Sequence, residues 1–575
     1  MNSFNLILPY FKQHKLQIII GLASLIFVDI LQLSIPRVVK HTIDSLTLFE
    51  IELSKLFEYS LIIVTLGLFI AIFRYIWRRC LIGLSRFIER ELRDKLFKHI
   101  QTLSPSFFSK TKTGDLMAHA TNDLNHIRMA TGMGLVALTD GIFLGTSSII
   151  FMLYINFELT LFALIPMPFI ILVAKIMSKK MHKIYQETQA VFSVLTEKVR
   201  EFFSGIRVVK SYQIENTSMA SVNSISKEYV KKSLVLTAMT GTLFPLMMLI
   251  SNISIAIVLY KGGQLTIQNI ITPGDFVAFM SYLGLLVWPM MAVGWVTNLI
   301  QRGRASLDRL NIIFETVPDI SNSENPFKTD RVKNGIELKS VSFNYPGASV
   351  ETLSDVSLII ETGKITGFAG PPGSGKTTLL NLIPRLFDIS HGAINVDNRN
   401  IKDYDISFIR DQFSYMEQEP YMFSGSILDN ITFGQDITDN DLERILYKAD
   451  LTETIKIFPD GIDTIIGEKG VILSGGQKQR VAFARALMKK NSILILDDPI
   501  SQVDTRTGTN IINSIINSET VIISSHRFSA LKKADIIYVI ENGKITGKGT
   551  HDELVLNNKY YGRSYHMQTY LEEEL

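Results

Sequence analysis

The stretch KITGFAGPPGSGKTTLL, residues 364–380, decides the fold of the second half of the chain. Its apolar opening has strand character, its centre is glycine and proline, and TTLL starts a helical pattern. Gly370, Gly375, Lys376 and Thr377 satisfy G-x-x-x-x-G-K-[ST] in the strand, loop, helix order that a phosphate-binding loop requires. Gly370, Gly373 and Gly375, with Ser374 between the last two, let successive N–H groups face phosphate oxygens. The helix beginning at Thr377 and Thr378 adds positive potential at its N-terminus. Lys376 is expected to reach the β and γ phosphates and the Thr377 hydroxyl to ligate magnesium, so ATP and Mg2+ are the expected ligands.

Downstream, ILILDDPIS (493–501) runs four apolar residues into two acids. A buried parallel strand with a solvated end would have this pattern. Beside a phosphate loop it has a sharper use, with Asp497 holding magnesium through water at the strand's end.

The chain before this domain has another character. Of 575 residues, 47% are apolar and 20% charged, and the apolar excess lies in the first 300. A chain this long is expected to build more than one core. A bilayer core of about 30 Å needs roughly 20 apolar residues in a helix. Six such spans are expected, at about 16–36, 57–80, 131–155, 157–177, 238–261 and 274–300. The first lacks a small-residue cleavage pattern and is taken as a retained helix. Long cationic helical segments, RFIERELRDKLFKHIQ (86–101) and KIMSKKMHKIYQETQAVF (175–192), follow spans two and four, and Lys12 and Lys15 precede span one. Positive flanks favour the cytoplasmic side, so both termini are expected inside. The helical pattern of IQRGRASLDRLNIIFE carries the last span to residue 315 and turns polar and aperiodic from Thr316. The domains expected are thus an all-α six-helix membrane domain at 1–315, a linker at 316–335 and an α/β nucleotide domain at 336–575.

A net charge of +3 argues against a dedicated nucleic-acid binder, and one cysteine, Cys80, excludes an internal disulfide and fits a reducing cytoplasm. Asp29 and Asp140 fall inside spans, where acids face a cavity, a partner helix or a cationic cargo. Arg74 and Arg78, near the inner end of span two, are explained by snorkelling.

LSGGQKQRVAFARALMKK (473–490) begins with a glycine-rich cap on an amphipathic helix. It resembles the signature of ATP-binding cassette proteins. Six spans with long inner loops followed by one cassette make the whole chain similar to the half-size exporters of the multidrug and lipid type, above all to bacterial MdlA-like subunits. The resemblance implies that Tyr345 in SFNYPG stacks on adenine and that Gln418 in YMEQEPYMFSGSI senses magnesium and the attacking water. It implies that His526 in IISSHR contacts the γ phosphate, and that Glu468 in GEKG and Asp504 in SQVD face the other subunit. Two cassettes close head to tail in this family. Ser474, Gly475, Gly476 and Gln477 would therefore contact the nucleotide on a partner's phosphate loop. TKTGDLMAHATNDL (111–124) and FFSGIRVVKSYQIE (202–215) resemble its two coupling segments.

One position departs from the family pattern. The general base there is a glutamate immediately after the magnesium aspartate, and this chain has Asp498. A missing methylene removes about 1.5 Å of reach, and a base must reach its water before its pKa matters. Such resemblance with that departure implies an ATP-driven exporter subunit of a bacterial plasma membrane, moving amphiphilic drugs, lipids or peptides among membrane lipid. Its own site would bind ATP well and cleave it slowly, and its partner would be a second, competent half-transporter. A homodimer with two impaired sites, or an ATP-gated channel, stands as the alternative. A receptor-fed importer is disfavoured by the fusion of six spans to the cassette.

Overall fold

In the computed structural model the described residues are 3–48, 52–329, 331–467, 473–489, 493–515 and 520–573. Contacts divide the chain into two compact units, 1–101 with 113–316, and 102–112 with 317–575.

Among the described residues of the first unit, six helices are long and apolar enough to cross a membrane. They are α1 (Lys15–Thr47), α2 (Leu53–Thr102), α3 (Thr113–Ile155), α4 (Phe157–Ser204), α5 (Glu215–Ile267) and α6 (Pro273–Glu315). Each contains one expected span and continues beyond it in helix, α4 after a turn at 165–166 inside its span. α2 and α3 do so through π-helical turns at Arg78–Ile82, His119–Asp123 and Ala130–Gly134. The capping box of α6 is explicit: the Thr272 hydroxyl accepts from the Asp275 N–H, and the Asp275 carboxylate accepts from the Thr272 N–H.

The helices meet along spaced apolar rows. Ile88, Leu92 and Leu96 of α2 pack with Leu124 and Ile127 of α3 and Leu307 and Leu310 of α6, the i, i+4 and i, i+3 spacing of one helix face. Where α6 passes α3 a Cβ on Gly303 would lie 2.4 Å from the Ala130 Cβ, so glycine permits that crossing. On the other side of α2, Leu61, Val64, Leu68 and Ile72 stand exposed. In water each such residue would forgo about 1.5–3 kcal/mol of burial, which is the economy of a lipid-facing or partner-facing surface.

The second unit holds a six-stranded sheet and a four-stranded antiparallel sheet. The smaller sheet comprises β1 (Ile336–Phe343), β2 (Leu353–Ile360), β4 (His391–Val396) and β5 (Arg399–Asn400). The larger comprises β3 (Ile365–Ala369), β6 (Phe413–Met416), β9 (Ile493–Asp497), β10 (Val521–Ser524), β11 (Ile536–Glu541) and β12 (Lys544–Gly549). A short ribbon pairs β7 (Gly425–Ser426) with β8 (Ile465–Ile466). In the larger sheet β10 lies parallel between β3 and β9, β6 runs parallel to β9 and β11 to β3, and β12 closes the edge antiparallel.

Buried on both faces, a parallel strand reads as a continuous apolar run, and its residues sort by parity. Ile493 and Ile495 join one core with β1, β2 and β4, while Leu494 and Leu496 join the other, with Val481 and Phe483. This packing fixes the ends of β3, β9 and β10 side by side.

Segment 102–112 belongs to the second unit by its bonds. The Ile320 N–H donates to Ser104 Oγ at 3.0 Å, and the Ser106 hydroxyl donates to Asp319. The polar segment after Thr316 is also held, with Ile320 and Val332 buried and Phe327 bridged to Tyr404.

Candidate functional site

β3 ends at Ala369, and the chain turns through Gly370–Gly375 into α7 (Lys376–Leu382). Two glycines are required by space. At Gly370 (φ 153°) a Cβ would lie 2.1 Å from the Ile540 carbonyl oxygen, and at Gly375 (φ 104°) it would lie 2.8 Å from Leu353 Cδ2. Lys376, buried at the base of the loop, donates from Nζ to the Gly370 carbonyl at 2.9 Å and the Pro371 carbonyl at 3.0 Å. Burial pushes its ammonium down to about 8, against the opposing pull of Asp497 and Asp498.

The parallel register brings the β9 acids to this loop, because Asp497 pairs with Ser524 and Phe368 pairs with Ser524 on the other side. Asp497 is 2% exposed and accepts from the Ser524 hydroxyl through Oδ1; its Oδ2 is buried with no donor among the described residues. Burial raises its carboxyl above the usual carboxylate range, while the Ser524 and Thr377 hydroxyls and then Lys376 hold it back. An orphaned buried carboxylate oxygen beside a threonine hydroxyl suits a hard cation. Among the described residues no group of three or more His, Cys, Asp or Glu side chains could hold a metal by itself. A divalent ion here would need phosphate oxygens to complete its shell, as magnesium at nucleotide sites does.

Asp498 follows in the left-handed region, φ 51°. Its N–H donates to the Ser524 carbonyl at 2.9 Å, and its Oδ1 accepts from Ser525 Oγ at 3.0 Å and the His526 N–H at 3.4 Å. The second acid is therefore buried and tied to the end of β10. His526 is half-buried, and burial followed by the Lys376 charge lowers its imidazole below the ordinary value. A neutral ring is expected at physiological pH.

A cavity of about 280 Å³ gathers these groups. Gly373, Ser374, Gly375, Lys376, Thr377 and Thr378 line it with Gln418, Asp497, Asp498 and His526. Gly370 reaches it through its carbonyl on Lys376. Tyr345 lies outside the lining, packed at 5.0 Å from Phe343 and 5.3 Å from Phe387, with its hydroxyl 3.2 Å from Thr378 Oγ1. Gln418 is exposed on the segment after β6.

The expected signature residues are elsewhere. Ser474 caps α8 (Gly475–Met488), its hydroxyl accepting from the Gln477 N–H at 3.3 Å while Gln477 Oε1 accepts from the Ser474 N–H at 2.8 Å. Ser474 and Gly475 are exposed, Gly476 and Gln477 half-buried, and none lines the cavity. Glu468 and the rest of GEKG from 468 lie outside the described residues. Asp504 accepts from the Thr507 N–H at 3.0 Å.

Four groups escaped the sequence reading. Thr352 and Ser524 line the cavity, Ser525 holds Asp498, and Gln479 links α8 to the loop after β9. Gln479 Nε2 donates to the Asp498 carbonyl at 3.3 Å and Ser501 Oγ at 2.6 Å, and its Oε1 accepts from the Gln502 N–H at 2.9 Å. The signal for Ser524 was legible: a hydroxyl ending an apolar strand two residues before His526.

The ABC transporter transmembrane region matches residues 18–290, and the ABC transporter family matches 353–501. MdlA of Escherichia coli (strain K12), a multidrug resistance-like ATP-binding protein, is 32% identical over 97% of this chain and 95% of its own length. The chain belongs to the ATP-binding cassette transporters. An ATP-dependent lipid A-core flippase of Vibrio vulnificus (strain YJ016) is 31% identical over 85% of this chain and 84% of its own. The fold is that of an ATP-bound bacterial Atm1-family ABC exporter, with TM-score 0.79 over 96% of this chain and 99% of that one at 22% identity. This ABC transporter chain is accordingly a half-size exporter, six membrane helices followed by one nucleotide-binding cassette, and its ATPase domain drives transport.

Proposed function

We propose that this chain is the slow-site half of an ATP-driven exporter, assembled with a second half-transporter chain. It moves amphiphilic drugs, lipids or peptides out across a bacterial plasma membrane, with both termini and the cassette cytoplasmic. The export class rests on the similarity to MdlA and the flippase. The division of labour rests on Asp498, a short acid bonded to Ser525 and to the His526 backbone. Binding does not need the reach that a general base needs.

Lys376 and the loop N–H groups bind the phosphates, Tyr345 supports the adenine, and His526 and Gln418 meet the γ phosphate and its water. Thr377, Asp497 and Gln418 would hold magnesium, which supplies charge neutralisation on the phosphates. Ser474, Gly475, Gly476 and Gln477 present the α8 N-terminus to nucleotide on the partner's loop. An intact signature beside a shortened base fits a chain that completes a fast site elsewhere and keeps a slow one for itself.

Affinity purification in mild detergent is expected to recover a second half-transporter chain. The chain purified alone is expected to have weak magnesium-dependent ATPase activity in lipid, restored on co-expression with that partner. Vigorous turnover by the lone chain, with no second chain recovered, would overturn this reading in favour of a homodimer.

A further inference from the structure

Asp29 lies in the middle of α1 at 0% exposure, and neither carboxylate oxygen meets a hydrogen-bond donor among the described residues. The charged groups acting on it are Asp140 of α3 and Arg74 of α2. Asp140 answers to the same two groups, Asp29 and Arg74.

The sequence closes the inventory. α1 packs against α2, α3 and α6. Residues 16–36 of α1 carry no other charge, nor do 59–73 of α2, 129–155 of α3 or 276–301 of α6. Arg78 and Arg79 follow one turn beyond Arg74 on α2 but act on neither acid, so two carboxyls share one guanidinium in the apolar part of the membrane unit, an imbalance of one negative charge. Charges inside a bilayer are costly and mark cation or proton paths. Two carboxylates sharing a site resist ionising together.

The mutual placement of the acids decides which cation fits. Each carboxyl stands in side-chain hydrogen-bonding position to the other, yet an ionised carboxylate has no donor. One proton turns that juxtaposition into an O–H···O⁻ bond and gives Asp29 its missing donor. Asp140 is half-buried, but a hydrated metal ion or organic ammonium held between the two acids would need open space beside Asp29, which is fully enclosed.

We infer that Asp29 and Asp140 form an intramembrane binding site for a single proton, shared between α1 and α3 and opposed by Arg74. The proton bridges two helices, so any movement that separates α1 from α3 removes the shared bond and favours its release.

The test is infrared difference spectroscopy on the full-length transporter in lipid at neutral pH, in potassium buffer and again in sodium buffer. A protonated carboxyl C=O band is expected in both buffers and absent from Asp29→Asn and Asp140→Asn. In Arg74→Gln the band should survive to higher pH than in wild type, because the opposing cation is gone. The last variant keeps both acids and serves if either asparagine variant fails to assemble. No carboxyl band, a band that persists in both asparagine variants, a band lost in sodium, or an Arg74→Gln band that titrates as in wild type or lower would each overturn the proposal.

Discussion

Lys376 shows how much of the cassette's behaviour resides in single side chains. Burial holds its ammonium at about 8 rather than the ordinary 10.5, and bound phosphates would raise it again. A group whose pKa rises on binding favours the complex fully below its free value and loses that advantage as pH climbs through the bound value. ATP affinity is therefore expected to be level just below pH 8 and to fall above it by up to about tenfold per unit. A nucleotide-binding titration without turnover checks this; affinity unchanged across the alkaline range would mean that Lys376 gives the phosphates no charge. At this scale the motif residues were legible because spacing dictates chemistry: Gly370, Gly375, Lys376 and Asp497 arrive together because β3, β10 and β9 are adjacent parallel strands. Ser525 was not, because its role depends on which atom of Asp498 turns toward it, and that is set by a left-handed φ at Asp498 that no periodicity reports.

Among the elements, α8 carries the sharpest consequence. Its N-terminus is exposed and capped by Ser474, and losing such a cap costs about 1 kcal/mol, roughly a fivefold change in an equilibrium. Ser474→Ala is expected to lower turnover of the assembled pair about fivefold and to leave ATP affinity at this chain's own loop unchanged. Steady-state ATPase with a wild-type partner, set beside nucleotide binding to the lone chain, measures both; a loss confined to the lone chain's affinity would assign the signature to its own nucleotide. Gly476→Asp would be a poorer probe, since a Cβ there would lie 2.7 Å from the Gln502 carbonyl oxygen and disturb the Gln479-bonded loop whichever nucleotide the signature meets. Helix lengths were legible where a helical pattern continued past a span, as at 86–101, 175–192 and up to residue 315, but not from hydropathy alone. Hydropathy placed spans such as 57–80 and 238–261, whereas α2 runs Leu53–Thr102 and α5 Glu215–Ile267. Their polar continuations keep the 3.6-residue period, as in Ile88, Leu92 and Leu96, but have lost the mean hydropathy by which a span is recognised. Within the second coupling-like segment a short helix, Ile206–Ser211, follows Gly205, whereas in the first Gly114 lies inside the helical turn Thr113–Ala118.

For the whole molecule, the two units divide chemistry from passage. The cassette concentrates buried polar groups at the ends of β3, β9 and β10, while the membrane unit exposes rows of apolar side chains and seals Asp29 inside without a hydrogen-bond donor among the described residues. The fold class was legible throughout because each half has an unmistakable periodicity, six apolar runs and then alternating strands and helices. The proposed assembly rests on chemistry, since one chain's cavity gathers its phosphate loop and its acids but not its signature. The proposed asymmetry hinges on the reach of Asp498, and one measurement addresses it most directly: single-site ATP turnover of the assembled pair, with the partner's catalytic glutamate disabled, for wild type and Asp498→Glu. Restored reach at unchanged charge should raise turnover at this chain's site by on the order of a hundredfold with ATP affinity unchanged. Equal turnover in the two proteins, or wild-type turnover at this site as fast as in the intact pair, would contradict a slow site set by the shortened acid.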